Sequence, residues 1–237
     1  MMSTSLSKTL VGFALLIIAI GGLPVQAEMN RVYHPYVEQH ERELEYGFTL
    51  RDVRGKSELL NRAALGYAWN DSIFTELYVL TESISHEGEQ VRGYEAELTW
   101  QITEQGEYWA DWGLLLEAGT ARDISSHEVA AGILWEKELA RRWVAAANLL
   151  AEYEYGNDIE DEFETALRAQ LRYRQSLAFE PALELYLDDQ DWAAGPAFMG
   201  TLKLSGRKQL RWELGLLFGL DTKTPESNLR GGIEFEF

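Results

Sequence analysis

The sequence predicts an all-β chain, an up-and-down antiparallel barrel of about twelve strands that crosses a membrane. Three observations predict it. Apolar and polar residues alternate with a period of two along most of the chain, short polar connections separate the alternating runs, and the large aromatics gather at the ends of those runs.

Successive side chains of a strand point to opposite faces, so a half-buried strand alternates. Leu44, Tyr46, Phe48 and Leu50 interleave with Glu43, Glu45, Gly47 and Thr49; Tyr94, Ala96, Leu98 and Trp100 interleave with Glu95, Glu97 and Thr99. The same pattern places strands near 42–53, 58–69, 73–82, 91–102, 108–121, 128–138, 142–155, 163–174, 177–187, 194–204, 210–220 and 229–237. The connections carry turn formers, as in Asn70-Asp71-Ser72, Glu104-Gln105-Gly106, Gly156-Asn157-Asp158 and Ser205-Gly206-Arg207. None is long enough for a crossover helix, so neighbours pair antiparallel. Pairing the last strand with the first removes both open edges.

Alternation leaves open whether the apolar face meets a core or lipid, and the aromatics decide it. Tyr46, Trp69, Phe74, Trp100, Trp109, Trp112, Trp135, Trp143, Tyr173, Phe179, Trp212, Phe235 and Phe237 fall at one set of strand ends. Tyr94, Tyr153, Tyr155, Phe163 and Trp192 fall at the other. Two aromatic belts of this kind mark the two interfaces of a membrane, where amphipathic rings settle at headgroup level.

The chain has 237 residues and a net charge of −18, with 21 Lys and Arg against 39 Asp and Glu, which argues against a nucleic-acid partner. The absence of cysteine excludes disulfides, thiolate metal sites and a catalytic thiol. Residues 1–27 read as a signal peptide: Lys8 precedes the apolar run Leu10 to Leu23, and Pro24-Val25-Gln26-Ala27 supplies the cleavage site. That run falls short of the roughly 20 residues a spanning helix needs. Residues 28–41 lack alternation and are expected to form a periplasmic arm or plug, and residues 42–237 form the barrel.

A signal peptide, no cysteine, strands of about ten alternating residues and a terminal strand ending in Ile233, Phe235 and Phe237 resemble Gram-negative bacterial outer-membrane β-barrel proteins. In size and in tryptophan-rich hairpins the chain is also similar to barrels of unassigned substrate grouped as transporters. The resemblance implies the cell outer membrane as location and outer-membrane lipid as surroundings. It further implies that the barrel assembly machinery reads Ile233, Phe235 and Phe237.

Function then belongs to the inward face. Strands three to seven direct Glu76, Glu82, Glu95, Glu97, Asp111, Glu117, Glu128, Glu136, Glu152 and Glu154 inward, an acidic wall with no inward base expected. The remaining strands carry a basic cluster of Arg62, Arg168, Arg172, Arg174, Arg211 and Arg230, with Arg51 and Lys203, beside Glu43, Glu45, Glu164, Glu184, Glu213, Glu234 and Glu236. The excess of about nine acids predicts a passive, cation-leaning channel or transport component for small solutes, requiring no cofactor or metal. Two alternatives stand beside it. Opposite charges that pair across the lumen give a sealed structural barrel. Ser125, Ser126 and His127 at the outer rim raise a lipid-modifying enzyme, with no orienting third group in view. His86 reads as a solvated loop residue, and His34 and His40 as parts of the arm.

Overall fold

The computed structural model describes residues 31–53, 56–85, 88–123, 125–157, 159–189, 192–222 and 224–237. The signal peptide expected at 1–27, the start of the arm and His86 lie outside these residues.

Twelve strands follow one another: β1 Arg42–Val53, β2 Lys56–Ala68, β3 Ile73–Ile84, β4 Gln90–Gln101, β5 Asp111–Ala121, β6 Ser126–Ala140, β7 Trp143–Gly156, β8 Glu162–Tyr173, β9 Glu180–Asp188, β10 Trp192–Lys203, β11 Gln209–Gly219 and β12 Ser227–Glu236. Each pairs antiparallel with its neighbours in sequence, and β1 closes on β12 from Glu43 opposite Glu236 to Arg51 opposite Asn228. The Phe237 N–H donates to the Arg42 carbonyl at 3.0 Å and locks that seam. Every expected strand is present, with ends displaced by at most three residues. The start of β5 is one such displacement: Tyr108 and Trp109 belong to the preceding turn. There the Lys137 ammonium caps the Trp109 carbonyl and lies 4.4 Å from the centre of its ring.

Leucine, isoleucine and aromatic side chains, Leu65, Leu77, Leu149, Leu183 and Ile233 among them, are exposed on the outside of the barrel. An apolar outer face is what a lipid solvent requires. At one rim Trp109 lies 6.3 Å from both Trp112 and Trp135, Trp143 lies 5.0 Å from Tyr173, and Phe235 stacks on Phe237 at 5.6 Å. Phe74 departs from the expected girdle. It shares the parity of Glu76 and Tyr78 on β3, so its ring turns inward and packs against Val37 and Ala68.

The inner face is not uniformly polar. Leu60 and Leu80 form one buried apolar cluster, and Leu115, Leu134 and Leu150 another. The register of β3 on β4 slips between Leu80 and Thr81, leaving Arg92 out of the pairing. A bulge places an extra residue out of step and re-aims its side chain. Arg92 is thereby carried to within 3.9 Å of Glu82, so the expected absence of an inward base on strands three to seven does not hold.

Candidate functional site

The lumen is built by residues that share inward parity, and the pairing register orders its charge. Glu236 faces Glu43, Glu43 faces Gly66, Gly66 faces Glu76, Glu76 faces Glu97, and Glu97 faces Glu117. The row continues through Ala130 to Glu152 and Glu164. A second row, two residues along each strand, runs from Glu234 through Glu45, Ala64, Tyr78, Glu95, Gly119, Glu128 and Glu154 to Glu162. Barrel strands tilt, so a row perpendicular to them climbs as it circles. Both rows start at the rim where β1 begins and β12 ends, and finish near the opposite one. The sequence carries a mark of this that the alternation count passed over: Glu-x-Glu occurs on β1 at 43–45, β4 at 95–97, β7 at 152–154, β8 at 162–164 and β12 at 234–236.

Residues 31–37 lie inside the barrel and make contacts along the lumen. Asn148, fully buried on β7, accepts from the Tyr33 N–H at 2.7 Å and donates to the Tyr33 carbonyl at 2.9 Å. One side chain thus pairs a stretch of backbone that has no strand beside it. The Tyr33 ring packs on Leu115, Leu134, Leu150 and Ala166, and its hydroxyl donates to Glu117 at 2.8 Å. Val32 is buried among Ala146, Tyr186, Ala193 and Leu217. Tyr36 donates to Asp111 at 2.7 Å, and the Val37 N–H donates to Gln101 at 2.7 Å. Gly113 makes room for the segment: a Cβ there would stand 2.9 Å from the Cβ of buried Pro35.

The segment also brings charge. Arg31 donates to Glu45 at 2.9 Å, and His34 Nδ1 lies 2.5 Å from Glu136. Arg172 and Arg174 reach the same Glu136 at 3.3 and 3.7 Å, passing over the small side chains that β7 presents between them. Arg168 lies 3.5 Å from Glu152, and Arg62 lies 2.6 Å from Glu45. Arg230 is held between Glu184 at 2.6 Å and Glu213 at 2.7 Å, all but excluded from solvent. Arg211 stays at the rim, 40 % exposed, with Glu236 at 2.7 Å. Acidic wall and basic cluster therefore interlock on β6 to β8. A cavity of about 680 Å³ is lined by Tyr33, Tyr36, Glu43, Glu76, Glu97, Arg172 and Arg211 among others.

At the mouth of this cavity Glu41 precedes β1. Burial, reinforced by the nearby Glu236 carboxylate, pushes its pKa up to about 8. Three groups of carboxylates offer oxygens within 4.8 Å of one another: Glu41, Glu43 and Glu236; Glu43, Glu45 and Glu234; Glu95, Glu97 and Glu117.

At the outer rim Ser125 and His127 line one pocket with Tyr153, Tyr155 and Asp161. Ser125 Oγ donates to Asp123 at 2.5 Å, while the His127 ring lies 5.5 Å from that of Tyr155. Ser126 is buried and His127 half-buried, at adjacent positions of β6 that point to opposite faces.

No protein-family model matches the sequence, and no curated protein matches it closely enough to count as a relative. Solved structures do match. An outer-membrane channel from Pseudomonas putida F1 superposes with a TM-score of 0.58 at 13 % identity, over 89 % of this chain and 98 % of that one. The KdgM porin, captured with disordered oligogalacturonate, gives 0.57 at 8 % identity over 82 % and 99 % of the two chains. The NanC porin gives 0.54 at 10 % over 83 % and 100 %. At such identities the likeness is one of fold, and the fold is that of bacterial outer-membrane β-barrel porins and channels.

Proposed function

We propose that the protein is a passive channel of the bacterial outer membrane for small solutes, that it favours cations, and that residues 31–37 act as its plug. The observation that carries the reading is the pair of acidic rows climbing the inner wall from rim to rim. Carboxylates spaced along a low-dielectric passage attract cations, repel anions and hand an ion from one site to the next. A polyanion such as the oligogalacturonate of the KdgM porin meets repulsion on such a wall. The outward apolar face and its aromatic belts support outer-membrane placement, and Ile233, Phe235 and Phe237 on the outward face of β12 suit a signal read by the assembly machinery. The bond of the Ser125 hydroxyl to Asp123 rather than to an imidazole favours a channel over a lipid-modifying enzyme.

Reversal potentials in planar bilayers test this. Glu95, Glu97 and Glu117 changed together to glutamine should lower cation preference, and Arg168, Arg172 and Arg211 changed to glutamine should raise it. Both effects should fade toward molar salt, where the screening length is about 3 Å. A second reading, a sealed barrel, draws on the buried Arg230–Glu184–Glu213 arrangement and on the filled lumen. It predicts that both triple variants melt earlier and that no form conducts, because unpaired buried charge is costly. An anion-selective wild type overturns the cation preference.

A further inference from the structure

We propose a calcium site in the lumen wall, formed by Glu95, Glu97 and Glu117. Glu97 and Glu117 stand directly opposite each other on the β4–β5 ladder, and Glu95 lies two residues along β4 on the same face. Like charges facing one another across a ladder destabilise it unless something neutralises them. In the other two carboxylate groups guanidinium ions do so: Arg31 and Arg62 approach Glu45, and Arg211 approaches Glu41, Glu234 and Glu236. Glu97 differs. Its residue is 4 % exposed, its Oε2 is buried with no hydrogen-bond partner, and no described guanidinium lies within 4.0 Å of it. A buried carboxylate oxygen left in that condition is costly and marks a place where a positive ligand belongs.

The chemistry selects the ion. All three donors are carboxylate oxygens, the ligand type of hard divalent cations, and no imidazole or thiolate belongs to the group. Calcium takes about six to eight oxygens at about 2.3–2.6 Å in flexible geometry, whereas magnesium demands a near-ideal octahedron, keeps several waters and takes one or two carboxylates. Three carboxylates gathered within 4.8 Å of one another therefore suit calcium. Three carboxylates, each able to bind through one or two oxygens, complete the shell with water. Glu97 lines the cavity beneath the plug, which gives the ion its way in. The site does not depend on whether the barrel conducts.

The test uses full-length mature protein refolded in zwitterionic detergent without lipopolysaccharide and stripped with chelator. Calorimetric titration with calcium should give one saturable site per chain, magnesium should bind more weakly, and the melting temperature should rise to a plateau as calcium saturates. Glu97→Gln should weaken binding by roughly tenfold or more. Glu107→Gln, which removes the same charge from an exposed turn, should leave it unchanged. Heat-modifiable gel migration certifies that each variant is folded, and Glu95→Gln replaces Glu97→Gln if the latter is not. A wild type that takes up no calcium overturns the site, as does equal weakening by the variants inside and outside the cluster.

Discussion

Glu41 illustrates how a single carboxyl records its surroundings. It sits where the plug turns into β1, buried beside Glu236 and 4.0 Å from Arg211, and the folded protein holds its pKa near 8. In the unfolded chain the group has an ordinary carboxylate pKa. The folded state therefore keeps the proton more tightly, and the stability this gives is fully present below the ordinary carboxylate range and is lost as pH rises through about 8. Melting temperatures taken from about pH 5 to about pH 9 should fall with pH, and Glu41→Gln should flatten that fall. A variant whose melting curve follows the wild type at every pH would place the burden on other groups.

Among the elements, β12 closes the barrel and carries its last residue into the seam. Ile233 and Phe237 are exposed on the lipid side, and the Phe237 N–H is bonded to the first residue of β1. Deleting Phe237, or replacing it with a charged residue, removes a lipid contact at the site of closure and should slow assembly. Pulse-chase experiments followed by heat-modifiable gel migration would register this as a larger unfolded fraction at early times. The strands themselves were legible in the sequence, because one face of each meets lipid and the other meets polar groups, and that contrast is what periodicity measures. The interior was legible only in part. Leucines at adjacent positions, as at Leu114 to Leu116 and Leu149–Leu150, put apolar side chains on both faces, and only the pairing register reveals that Leu115, Leu134 and Leu150 meet under Tyr33. The plug has no period to detect, since Tyr33 is held by the amide of Asn148, a partner 115 residues away. The inward turn of Arg92 depends on a bulge, a defect of pairing that no single strand announces.

At the scale of the whole molecule, the wall is a closed barrel and residues 31–37, the proposed plug, are a separate segment seated inside it. Burying side chains such as Val32 and Val37 contributes about 1.5–3 kcal/mol each to holding residues 31–37 in place. Orphaning the Tyr33 backbone groups would cost about 1–3 kcal/mol apiece. The plug continues directly into β1 through the turn at 38–41, where His40 adopts a φ of 68°. A segment on so short a leash never diffuses away. Once out of its seat it remains at an effective concentration of roughly millimolar or above. Re-entry is then unimolecular, so single-channel records should flicker, with open dwell times that ignore protein density and added plug peptide. Asn148→Ala, which takes away the anchor of Tyr33 without touching the leash, should make openings more frequent while leaving the conductance of each opening unchanged.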